Sequence, residues 1–182
     1  MIREPKLLSV RIIGDRVLSQ KAKPIENITP ELKEFIEDMI YSMYETDGIG
    51  LAATQVGESI RVFVVDIEWH QEGCSKNPLV FINPKFTFFE GESVNEEGCL
   101  SIPGVYEKVT RAEKVVIEAL NIDGEKFTID TDEFLAIAMQ HEYDHLDGIL
   151  FIDKVPKLKM ILHRKCIKEL KQTTDENGVN IG

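Results

Sequence analysis

AEKVVIEALNIDGEKFTIDTDEFLAIAMQHEYDHLDG, residues 112–148, holds two kinds of element in one unbroken run. AEKVVIEAL and EKFTID flank Asp123 and Gly124, a two-residue turn signal, so residues 113–130 are predicted to form a β-hairpin. A helix should follow. Thr131 or Asp132 can open it, Phe134, Leu135, Ala138 and Met139 can face a core, and Gly148 can supply a left-handed cap.

Upstream, Thr29 is a good N-cap and Pro30 suits the first helical position. Leu32, Phe35, Ile36, Met39, Ile40 and Met43 then recur at helical spacing, which predicts a helix with one buried face. DGIGLAATQVGE reads as a Gly-rich loop and IRVFVVDI, residues 60–67, as a strand; LVFINPKFTFFEG continues in extended form, broken at Asn83 and Pro84. Downstream, a third helix is expected from Pro156 to about Lys171, with Leu158, Ile161, Leu162, Ile167 and Leu170 on its apolar side. The order helix, strands, helix, helix predicts an α+β fold: mostly antiparallel strands packed around the helix that carries His141.

At 182 residues the chain can bury a substantial core, and no repeat or hinge divides it. Residues 1–172 are expected to form a single domain, and the polar stretch 173–182 a mobile tail. The net charge of −11 disfavours non-specific or sequence-specific nucleic-acid binding as the main activity. MIREPKLLSVRIIGDR has no apolar run of signal-peptide or membrane-span length, and Cys74, Cys99 and Cys166 are too few for a disulfide framework. Both observations predict a cytoplasmic protein, with a cysteine free to serve as a ligand.

The helix contains HEYDH, residues 141–145. Side chains four apart lie about 40° apart around a helix and about 6 Å along it, so the imidazoles of His141 and His145 can converge on one ion. Glu142 is offset from both and can reach a water beside that ion. A polar surface helix that happens to hold two histidines is the plain alternative. A catalytic zinc-type site needs a third protein ligand. The extended protease signature would place a histidine at position 151, where this chain has Phe151. Glu169 lies on the next helix, but Lys165, Lys168 and Lys171 around it mark an ordinary surface acid. Cys99, in NEEGCLSIPG, is a third option; thiolate with two imidazoles makes an open site suited to Zn²⁺ or Fe²⁺, although a lone cysteine is ordinarily a small buried hydrophobe.

GIGLAATQVG (48–57), EEGCLSIPG (96–104) and QHEYDHLDG (140–148) together resemble the three ordered motifs of the bacterial peptide deformylase family. GDRVLSQKAKPI, VTRAEKVVIEAL and GILFIDKV extend the resemblance over roughly residues 7–170. It implies an α+β hydrolase that removes the N-formyl group from nascent formyl-methionyl peptides, using one divalent ion per chain. That ion is Fe²⁺ in the usual cellular form, replaceable by Zn²⁺, Ni²⁺ or Co²⁺. By motif position it implies Cys99, His141 and His145 as ligands, Glu142 as the acid/base, and Gln55 with the backbone N–H of Leu100 as oxyanion donors. It further implies that Gly48 and Gly50 approach a substrate backbone bound as an extra strand, and that Ile49, Leu51, Ile137 and Ala138 line a methionine pocket. Arg111 matches a family arginine as an ion-pair partner, and Asp144 either orients a ligand or arginine or is a plain surface acid. Two residues depart from common relatives: Asn95, where an apolar residue is frequent near the methionine pocket, and Tyr106, where some have an arginine.

Two further expectations complete the reading. A metalloprotease cutting internal peptide bonds is the alternative activity, requiring a downstream third ligand that EGCLS argues against. The stretch Lys157–Lys171 carries Lys157, Lys159, Arg164, Lys165, Lys168 and Lys171 against Glu169. The resemblance implies transient ribosome docking there; a solvated basic face is the alternative.

Overall fold

The structure is a computed structural model, and it describes residues 3–172. The expected tail, 173–182, lies outside the described residues. Helix α1, Pro30–Glu45, begins as its sequence dictates: the Thr29 hydroxyl accepts from the Leu32 N–H at 3.3 Å. Ile36, Met39 and Met43 form its fully buried stripe.

Strands β1 (Gly50–Ala52), β2 (Val62–Val65), β3 (Leu79–Glu90), β6 (Lys114–Leu120) and β7 (Lys126–Thr131) pair antiparallel in the order β1-β2-β3-β6-β7. A second sheet pairs β4 (Ser93–Cys99) with β5 (Ile102–Arg111). Helix α2, Glu133–Leu146, carries the histidines. The alternation along β2 explains its unbroken apolar run: Val62 and Val64 pack with α1, while Phe63 and Val65 pack with Met139 and Leu146 of α2. Helix α2 is thus sandwiched onto the sheet face opposite α1, and its other side is free to meet Cys99.

Gly148 ends α2 as expected, at φ 71°, with the Ile149 N–H donating to Asp144 O at 2.9 Å and the Gly148 N–H to His145 O at 3.2 Å. A Cβ there would lie 2.7 Å from the Ser19 carbonyl carbon, so this turn also needs glycine for close packing.

The structure corrects three local expectations. The loop 48–57 contains β1 and a 3-10 helix, Ala53–Val56, because its small residues are paired with β2 and covered by α2. The β6–β7 hairpin closes through a three-residue loop, not a two-residue turn. Asn121 and Glu125 pair at its base, Gly124 takes φ 83°, and Asn121 Oδ1 accepts from the N–H groups of Asp123 and Glu125. The third helix is interrupted, giving α3, Lys157–Met160, and α4, Arg164–Lys171. Bonds of i→i+3 type carry the chain through residues 161–163, and His163 Nε2 meets Glu107 Oε1 of β5 at 2.9 Å. Met160, Cys166, Ile167 and Leu170 therefore pack against the core around Ile102 and Phe151, while Leu158, Ile161 and Leu162 are exposed.

Candidate metal centre and its cleft

Cys99 ends β4, one tight turn before β5, and meets the inner face of α2. Its Sγ and ring nitrogens of His141 and His145 all lie within 4.8 Å of one another, and Sγ is 3.2 Å from His145 Nε2. The two imidazoles stand 5.1 Å apart between centroids, inclined at 70°. Soft sulfur with two nitrogens is a donor set for Zn²⁺ or Fe²⁺.

The surroundings fit a cation. Glu97 Oε2 lies 2.8 Å from His141 Nδ1, which leaves His141 Nε2 for the cluster. Arg111 holds that carboxylate with both Nε and Nη2, and its Nη1 donates to Asp144 Oδ2 at 2.7 Å. Burial pushes Glu97 up, but hydrogen bonds from His141 and Arg111 outweigh it and hold the carboxyl at about 2. Burial likewise lowers His141, yet the Cys99 sulfur and Glu97 draw it up to about 10. The same negative surroundings favour a positive ion between the histidine and the Cys99 sulfur. His145 is held well below the usual imidazole range by burial, the neutral form that a ligand requires.

Glu142 is buried beside the cluster, and its Oε2 has no hydrogen-bond partner. Burial raises its carboxyl to about 7. The Gln55 side chain is oriented at both ends: Oε1 accepts from the Ala52 N–H at 2.9 Å, and Nε2 donates to Cys99 Sγ at 3.4 Å and Ser101 Oγ at 3.3 Å. The amide N–H groups therefore point at the sulfur end of the cluster.

A cleft of about 410 Å³ opens over these groups. Of the residues singled out in the sequence, Gly48, Ile49, Gly50, Gln55, Cys99, Leu100, Ile137, Ala138, His141 and Glu142 line it, and Tyr106 joins them at the rim. Leu51 is a correction. Strand alternation turns its side chain away from Glu142 and into the core under α1, where it is wholly buried. Asn95 does not line the cleft; its amide bonds the Ser93 hydroxyl at 2.6 Å instead. Sequence reasoning passed over Glu97 and Ser101, and Phe134, expected to face the core, is instead half exposed and lines the cleft. Alternation along β4 was the available signal for Glu97, two residues before Cys99.

The polypeptide deformylase family model matches residues 7–160. The chain belongs to the polypeptide deformylase family. A peptide deformylase of Neisseria meningitidis is 48% identical over 153 residues, covering 84% of this chain and 89% of that one. Another from Clostridium botulinum is 48% identical over 151 residues, 83% of this chain and 98% of its own. The crystal structure of a Legionella pneumophila peptide deformylase superposes with a TM-score of 0.84 at 39% identity, over 92% of this chain and 96% of that one. A Synechococcus elongatus deformylase solved with actinonin gives 0.80 at 40% identity, over 98% and 94%.

As a deformylase, this chain is a metal-dependent hydrolase that removes the N-formyl group from nascent peptides. The internal-peptidase alternative is not favoured. Phe151, at the position a third protease histidine would occupy, is a buried ring stacked 6.1 Å from His141, and Glu169 sits on α4 beside Lys165. Among the described residues no helix is long and apolar enough to cross a membrane.

Proposed function

We propose that Cys99, His141 and His145 hold the ion and that Glu142 carries the proton in hydrolysis of formyl-methionyl peptides. The observation that carries this reading is the convergence of these three donors beside a buried carboxylate with an unpartnered oxygen. A divalent ion bound there supplies a Lewis acid and makes water acidic. Glu142, raised to about 7 by burial, accepts a proton as water adds to the formyl carbon. The C–N bond then breaks, Glu142 returns the proton to nitrogen, and formate and a free amine leave. Gln55 Nε2 and the Leu100 N–H donate to the formyl oxygen as it gains charge.

The peptide lies as an added strand along Gly48–Gly50, with its methionine side chain against Ile49, Ile137 and Ala138. Fe²⁺ is the ion in the cell, with Zn²⁺, Ni²⁺ or Co²⁺ able to replace it; the thiolate and imidazole donors suit all of them. Residues 1–172 work as one catalytic unit in the cytoplasm. The basic residues of α3 and α4 dock transiently on the ribosome. Charge reversal at Lys157, Arg164 and Lys168 should reduce ribosome pelleting, and unchanged pelleting would remove the docking.

The deciding experiment pairs anaerobic metal analysis with turnover of a formylated and an unformylated methionyl peptide. Wild type should release formate and leave the unformylated peptide intact. Glu142→Ala should retain metal and lose formate release; full activity in that variant would overturn the assignment.

A further inference from the structure

Between the end of β2 at Val65 and the start of β3 at Leu79, the chain leaves the sheet and carries its single tryptophan, Trp69. The segment is anchored at its base. Asp66 Oδ1 accepts from the Glu68 N–H at 3.2 Å, and its Oδ2 accepts from the Asn77 N–H and the Tyr44 hydroxyl, each at 2.7 Å. Trp69 is then gripped on several sides. Its ring meets Tyr44 edge-on at 5.1 Å, lies against the His70 ring at 3.7 Å between centroids with a tilt of 34°, and has the Lys76 ammonium 5.5 Å from its centroid.

The one polar atom of that side chain points at the cleft wall: Trp69 Nε1 donates to the Gly48 carbonyl at 3.0 Å. Gly48 is tied on its other side as well. Its N–H donates to Met43 O at 2.9 Å, and a Cβ on it would lie 3.2 Å from Leu100 Cδ1. The next residue, Ile49, is fixed through its carbonyl, which accepts from the Asp66 N–H at 2.9 Å. The loop after β2 thus takes up two successive carbonyls of the Gly48–Gly50 segment, and it does so from outside the reaction centre.

We propose that Trp69 is a positioning residue for the substrate. Through the Gly48 carbonyl it fixes the cleft edge along which the formylated peptide lies, and so sets affinity for the peptide without touching the reacting atoms. This inference rests on the reading above that the peptide lies along Gly48–Gly50. Loss of the indole N–H releases Gly48 from the loop and leaves the edge to be ordered at the moment of binding. The effect therefore falls on KM, because the metal cluster, Glu142 and Gln55 are held by other contacts.

Two measurements on the metal-loaded, full-length enzyme test it. Trp69→Phe keeps a ring and removes the donor; with a formyl-Met-Ala-Ser peptide it should raise KM about fivefold, or about 1 kcal/mol, with kcat within about twofold of wild type. A merely structural role would lower the active fraction and hence kcat, with KM unmoved. Second, Trp69 is the only tryptophan, so its emission reports on this edge. Titration of the same peptide into Glu142→Ala should change that emission saturably. If Trp69→Phe does not fold, the titration alone decides. Unchanged KM, or emission that the peptide does not move, would overturn this inference while an inactive Glu142→Ala leaves the deformylase assignment standing. Formate release by Glu142→Ala would instead overturn the proton-carrying role given to Glu142.

Discussion

Gly50 leaves Glu142 the space it occupies: a Cβ built on Gly50 would lie 2.5 Å from Glu142 Oε1 and 2.9 Å from its Cγ. The glycine backbone is therefore a wall against which the acid/base carboxylate is seated. Gly50→Ala should push that carboxylate off its position and lower kcat about 100-fold, the scale expected for a displacement near 1 Å. Metal content should stay at the wild-type level, since the atoms nearest the added Cβ all belong to Glu142. Formate release together with metal analysis checks this, and an unimpaired Gly50→Ala enzyme would show that the seating does not matter.

The Glu97 carboxylate takes Arg111 on one side and His141 Nδ1 on the other. Replacing it with a neutral amide weakens the hold on the imidazole and its basicity as a ligand. Glu97→Gln is expected to lower metal affinity about 10-fold or more, read by competition with a chelator. Arg111 keeps Asp144, so the variant should still fold.

Much of this arrangement was legible in the sequence, and the omissions have physical causes. Helix α1 was readable because Thr29, Pro30 and a buried stripe all agree, and α2 because Gly148 ends it where a left-handed residue is required. Leu51 was misplaced because its segment read as a Gly-rich loop; once β1 is recognised, alternation alone separates Gly50, against Glu142, from Leu51, under α1. The interruption at residues 161–163 coincides with the His163–Glu107 contact, a pairing across 56 positions that local spacing does not encode. Cys99 is similar in kind. Its chemistry was readable in isolation, but its meeting with His145 is made by the packing of two separate elements.

Gln55 offers a way to separate structure from catalysis. Its Oε1 satisfies the Ala52 N–H while Nε2 faces Cys99 and Ser101. Gln55→Glu preserves an acceptor for Ala52 but replaces the donor with an anion. The expected outcome is a fall in kcat of about 10²–10³-fold, as for loss of one oxyanion donor. Gln55→Leu should lose activity similarly and also cost about 1–3 kcal/mol of stability, because the Ala52 N–H is left buried without a partner. Thermal unfolding and formate release measured on both variants distinguish the two contributions.

The Tyr44–Asp66 bond predicts a stability difference bounded at both ends of the pH scale. Burial pushes Asp66 up, but the Tyr44 hydroxyl and the N–H groups of Asn77, Glu68 and Trp69 more than offset it, so its folded value lies below the ordinary 3.8. Burial and the Asp66 carboxylate both raise Tyr44 above its ordinary 10.0. A depressed acid contributes stability above its unfolded value and loses it as pH falls; a raised phenol contributes below its unfolded value and loses it as pH rises. The advantage of wild type over Tyr44→Phe should therefore be about 1 kcal/mol near neutrality. It should shrink as pH falls below about 4 and again as pH rises above about 10, where unfolded Asp and Tyr titrate. Unfolding midpoints of the two proteins across that range, compared at matched salt, give the difference directly, and an advantage independent of pH would mean that the bond does not hold the loop after β2.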